Sequence, residues 1–119
     1  MEYLNYLLIG LLVFLLLQRM LPAKGIRQIT TAELKGELKD KKKQFIDVRT
    51  NREFQANHIK EFTNIPLHEL HGKSNGLDKE KEVVVICQSG MRSNKAAKLL
   101  KKSGFKHITN VKGGMSAWS

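Results

Sequence analysis

The sequence predicts an α/β protein with an apolar helix in front of it. Short apolar runs of strand length alternate with stretches that begin in helix-capping residues. One run, "EVVVI" at Glu82–Ile86, is apolar at every position from Val83 onward, as in a central strand covered on both faces. Ahead of all this, no charge occurs from Tyr3 to Gln18.

The elements follow in order. From Tyr3 to Leu21 the chain approaches the roughly 20 residues that a spanning helix needs, provided Asn5, Gln18 and Arg19 are included. We therefore expect residues 1–21 to form a transmembrane anchor. A secretory signal peptide fits less well: the only early charged side chain is Glu2, and no A-x-A cleavage pattern follows. A buried core helix apolar on every face would need a larger domain around it. Arg19, Lys24 and Arg27 after the span put the rest of the chain in the cytoplasm, at the cell membrane.

Residues 22–25 read as a linker, and residues 26–119 as one domain. Thr30 with Glu33 forms a capping-box pattern that opens a helix to about Leu38. Lys41 to Lys43 break the chain, and "QFIDV" then gives a strand ending near Val48. Thr50 and Glu53 repeat the capping-box spacing at the start of a short helix. Pro66 keeps its predecessor extended, and one or two helical turns follow. After the central strand and a polar loop, a helix starts near Arg92 or Ser93, with Ala96, Leu99 and Leu100 on its apolar face. Gly104 and Phe105 fit the Schellman ending of that helix, and "HITNV" supplies a last strand before "KGGMSAW".

Composition narrows the class. In 119 residues, 41% hydrophobic and 27% charged content excludes wholesale disorder and leaves room for one small domain with an appendage. Lys and Arg number 21 against 11 Asp and Glu, which suits an anionic partner: a lipid surface, nucleic acid or a small anion. Aromatic residues are not interleaved with the basic ones, which argues against nucleic acid. A single cysteine excludes an internal disulfide and a CxxC metal site, and it fits a reducing compartment. His68, His71 and His107 show no metal-ligand spacing with it, so no metal or other cofactor is implied.

That cysteine, Cys87, stands where the central strand ends and before the loop Gln88, Ser89, Gly90, Met91 and Arg92. Ligands of open α/β sheets gather at such strand ends. A tight loop entering a helix can turn several N–H groups toward one point, and Gly90 permits the curve. A thiolate held there is stabilised and nucleophilic, with Arg92 adding fixed positive charge. The alternative is a cysteine that merely packs as a small hydrophobe. The enzymatic reading requires a thiol that solvent can reach.

The segments "DVRTNREFQANHI", "TNIPL", "VVVICQSGMRSNKAAKLLKKSGF" and "VKGGMSAW" together resemble the signature segments of a single-domain rhodanese, a sulfurtransferase. The resemblance implies the rhodanese fold, with a central, mostly parallel, five-stranded sheet flanked by helices. It also implies that Cys87 takes a sulfane sulfur from a small anionic donor such as thiosulfate, and passes it to a thiol, cyanide or a protein acceptor. Asp47 and Arg49 match the family's D-V-R segment, where charge pairing or loop bracing is expected. His58 matches a position expected to make a structural hydrogen bond. Asn57 and Phe62 stand where the family often has glycine or alanine.

Two other readings stay open at this point. One is a non-catalytic module that senses sulfane sulfur or docks a membrane partner. The other is a small phosphatase, but four residues separate Cys87 from Arg92, one fewer than in phosphatase-type loops, and a smaller ring suits a single sulfur.

Overall fold

The computed structural model describes residues 2–20 and 25–119, the side chains of residues 19 and 20 excepted. The expected linker positions Pro22, Ala23 and Lys24, and the first and last residues of the expected anchor, Met1 and Leu21, lie outside the described residues. Helix α1 spans Glu2–Met20. Its apolar side chains from Leu4 to Leu17 are all exposed.

Among the described residues, no helix is long and apolar enough to cross a membrane, so the expected transmembrane anchor is corrected. The reason is length. The uninterrupted apolar run from Tyr6 to Leu17 is bracketed by Asn5 and Gln18. At about 1.5 Å per residue it covers ~18 Å, against ~30 Å of hydrocarbon.

The rest is a five-stranded sheet in the order β1-β5-β4-β2-β3, with every pairing parallel. The strands are β1 (Ile26–Ile29), β2 (Gln44–Asp47), β3 (Thr63–Asn64), β4 (Val83–Ile86) and β5 (Ile108–Val111). Between them lie α2 (Thr31–Glu37), α3 (Asn51–Ala56), α4 (Leu70–Lys73) and α5 (Met91–Lys102), and a 3-10 turn at Gly114–Ala117 ends the fold. Both capping boxes form: the Thr30 and Thr50 hydroxyls accept from the N–H of Glu33 and Glu53, whose carboxylates reach back to the cap N–H groups. The Schellman ending also forms, with Gly104 at φ +96° and the Phe105 N–H donating to the Leu100 carbonyl at 3.1 Å.

Two strands were not read from the residues. β1 carries Arg27 and Gln28 between its two buried isoleucines and is ordered by pairing with β5. β3 is only two residues long and exists through its ladder with β2.

β4 is buried at all four positions, and its alternation divides the core. Val83, Val85 and then Cys87 face α4 and α5, in a cluster with Leu70, Ala96, Ala97 and Leu100. Val84 and Ile86 face the other way, with Leu34, Phe62, Val111 and Met115. Phe62 fills its position by tilting against Phe45, ring centroids 5.3 Å apart.

This division sets the site. α3 follows β2 and packs Phe54 on one face of the sheet, whereas α5 follows β4 and packs on the other. β2 and β4 are neighbours, so their outgoing loops part in opposite directions and leave a crevice at the carboxyl ends.

Candidate active site

Cys87 lies at that crevice. Gln88 to Gly90 form the loop, and Gly90 adopts φ +103°, a left-handed conformation that few other residues tolerate. The chain thereby turns back over the sulfur. The Gly90 N–H donates to Cys87 Sγ at 2.9 Å, and the thiol donates to Ser93 Oγ at 3.3 Å. Ser93 Oγ in turn donates to the Gly90 carbonyl at 3.1 Å, closing a small ring of hydrogen bonds.

Cys87 has no exposed surface. This departs from the expectation of a reachable thiol, and the loop itself is the cause: it wraps the sulfur between Gly90, Ser93 and the apolar cluster. Ser89 and Met91 form the outer side of the loop, with Met91 75% exposed.

The other expected residues divide into those that reach the loop and those that do not. Arg92 makes a two-pronged ion pair with Glu53, at 2.6 and 2.9 Å. Its positive charge is thus largely offset. The Arg92 hydrogen bond, opposed by burial and helped by the Thr50 contacts, lowers the Glu53 carboxyl from 4.5 to about 2. Glu53 therefore does more than cap α3; it ties α3 to the first turn of α5.

Asp47 and Arg49 form a buried pair. Asp47 accepts from the Arg49 backbone N–H at 3.0 Å and from its guanidinium at 2.9–3.1 Å. Arg49 also donates to the Asn57 carbonyl at 2.6 Å and to Gln88 Oε1 at 3.3 Å. Gln88 is thereby held from the loop that leaves β2, and its Nε2 donates to Ser116 Oγ at 3.2 Å. His58 stands apart: its Nδ1 donates to the Phe54 carbonyl at 2.8 Å, and its ring stacks on Phe54.

The C-terminal segment holds the cysteine loop from the far side. The Met115 N–H donates to the Cys87 carbonyl at 2.8 Å, and the Ser116 N–H to the Gln88 carbonyl at 2.9 Å. Gly114 makes this approach possible, because a Cβ there would overlap the Cys87 carbonyl. Sequence reasoning missed Ser93, Gly114 and Ser116 as parts of the site. Ser93 could have been found from its place in the first turn of α5, and Gly114 from the paired glycines.

The fold and site match a known group. A family model described as "Rhodanese-like domain" covers residues 30–119. A putative sulfurtransferase of Bacillus subtilis (strain 168), YtwF, is 43% identical over 94 residues, spanning 78% of this chain and 90% of its own. The crystal structure of a rhodanese-like domain protein from Staphylococcus aureus superposes with a TM-score of 0.73 at 35% identity, covering 79% of this chain and 92% of that one. A human single-domain sulfurtransferase gives a TM-score of 0.70 at 26% identity, over 79% of this chain and 96% of that one. Sulfurtransferases therefore recur among its relatives, and the chain belongs to the rhodanese-like family.

Proposed function

We propose that this chain is a sulfurtransferase that moves sulfane sulfur through a persulfide on Cys87, with thiosulfate as a donor and a thiol or cyanide as acceptor. The observation that carries the reading is the hydrogen-bond ring around Cys87 Sγ at the end of β4. The thiolate attacks the outer sulfur of thiosulfate; a Cys87–S bond forms and sulfite leaves with the electron pair of the broken S–S bond. The Gly90 N–H at Sγ stabilises negative charge on sulfur without reorganising. Because the thiol is covered, loading needs the loop to yield, and the exposed Ser89 and Met91 edge is the part with least packing to lose.

The test is mass spectrometry of the full chain after thiosulfate treatment. The expected result is one added sulfur atom on Cys87, lost again on addition of cyanide. An unmodified Cys87 after exposure to a panel of sulfane donors would falsify the reading.

We propose a membrane-surface location as well. The exposed leucines of α1 need cover, and burial at roughly 25 cal/mol per Å² of apolar surface favours a lipid phase. α1 would hold the domain at a membrane surface, on the cytoplasmic side, where a lone thiol stays reduced. Vesicle flotation should carry the full chain upward, and Leu8→Glu with Leu12→Glu should leave it in the dense fraction. Equal flotation of both proteins would remove this part of the proposal.

A further inference from the structure

A cavity of about 450 Å³ opens beside the cysteine loop, between the segment after β3, α4 and α5. That lies within the ~300–1,000 Å³ of small-molecule sites. Its lining includes Leu67, His68, His71, Arg92, Lys95 and Leu99, and contains no carboxylate. Arg92 is offset by Glu53, and His68 faces Glu69 at 3.9 Å. Lys95 has no acidic partner among the described residues, so the cavity carries uncompensated positive charge.

Arg92, Lys95 and Leu99 lie three and four residues apart on α5, and so share one helix face. Val48, Pro66, Leu67 and Leu99 make much of the lining apolar, and Leu67 and Leu99 pack against the buried cluster that holds Cys87. A cationic side chain and an apolar lining that packs against the cluster of the reactive cysteine describe a ligand with an anionic group on a short apolar stem.

We infer that this cavity is the acceptor site, and that it takes a small thiol bearing a carboxylate held by Lys95. The inference rests on the sulfurtransferase reading above. The acceptor thiolate attacks the outer sulfur of the Cys87 persulfide. A new S–S bond forms to the acceptor, the bond to Cys87 breaks, and its electron pair returns to Sγ. The acceptor leaves as a persulfide anion, its thiol proton having passed to solvent, and no oxidant or reductant is consumed.

The test compares a carboxylate-bearing tripeptide thiol (γ-glutamylcysteinylglycine) with neutral 2-mercaptoethanol as acceptors for the persulfide-loaded full chain. Lys95→Glu should raise KM for the tripeptide about tenfold, as the loss of one charge-assisted contact does. KM for 2-mercaptoethanol should stay unchanged. Lys102→Glu makes the same charge change outside the cavity and should alter neither value. Equal changes for both thiols in Lys95→Glu, or no change at all, would overturn the inference.

A second readout needs no persulfide. The S-methyl derivative of the tripeptide cannot accept sulfur, yet it should shift the ring-proton resonances of His68 and His71 in the wild type and not in Lys95→Glu. Undisturbed histidine signals would reject the cavity as its site, even for a chain whose Cys87 loads normally. Shifted signals in a chain that never loads would support the site and reject the sulfurtransferase reading instead.

Discussion

At Cys87 the sulfur accepts one hydrogen bond and donates another, and each partner sets an expectation. Cys87→Ser keeps a small polar group at the strand end but supplies no sulfur to bond a sulfane atom. It should reduce sulfur transfer from thiosulfate to background while the thermal midpoint changes little. Ser93→Ala removes the hydroxyl that orients the thiol, and a lost hydrogen bond of about 1 kcal/mol should slow transfer roughly fivefold. Steady-state kinetics on both proteins checks this. Asp47→Ala is different in kind, because it strands the Arg49 guanidinium, only 3% exposed, without its carboxylate. Breaking a buried pair costs about 3–5 kcal/mol, readable as a lower denaturant midpoint. Cys87 and Arg92 were visible in the sequence because nucleophile and arginine stand close together in one loop. The bridge from Arg49 to Gln88 was not, since 39 residues separate its ends and only the sheet brings them together.

Among the elements, α3 and α5 are joined by Glu53 and Arg92, and that joint responds to acid. The Glu53 carboxyl is lowered from 4.5 to about 2 in the folded protein, chiefly by Arg92. Its contribution to stability is therefore complete above the ordinary carboxylate value and lost as pH falls through the folded one. Denaturant midpoints measured from pH 5 to pH 2 should fall less steeply in Glu53→Gln than in the wild type. A parallel fall in the two proteins would assign the acid sensitivity elsewhere, for instance to Glu37, whose carboxyl is lowered first by Arg27. The C-terminal 3-10 turn supplies the other joint. Gly114 has φ +55° and no room for a Cβ, so Gly114→Ala should push the turn off the Cys87 and Gln88 carbonyls. Overpacking of this kind costs about 1–3 kcal/mol. Turnover should fall with it, because the loop loses its backing.

At the scale of the molecule, the parallel order β1-β5-β4-β2-β3 makes β4 central and opens the crevice beside it. The exposed apolar side chains of α1 belong to this scale too, since no other described residues cover them. What the chain determines by itself is local. The β-branched run at Val83–Ile86, the Thr30 and Thr50 capping boxes and the Gly104 ending each lie within a few residues, where backbone sterics and short hydrogen bonds decide the outcome. The grouping of Cys87 with Gly90 and Arg92 is local in the same sense. Tertiary structure decided the rest: β1 and β3 exist because a neighbour pairs with them, and Cys87 is covered because a whole core closes behind its loop. Glu53, Gly114 and Ser116 join the site only when distant segments meet. Such contacts depend on which faces pack together, and one segment's periodicity carries no record of its partner.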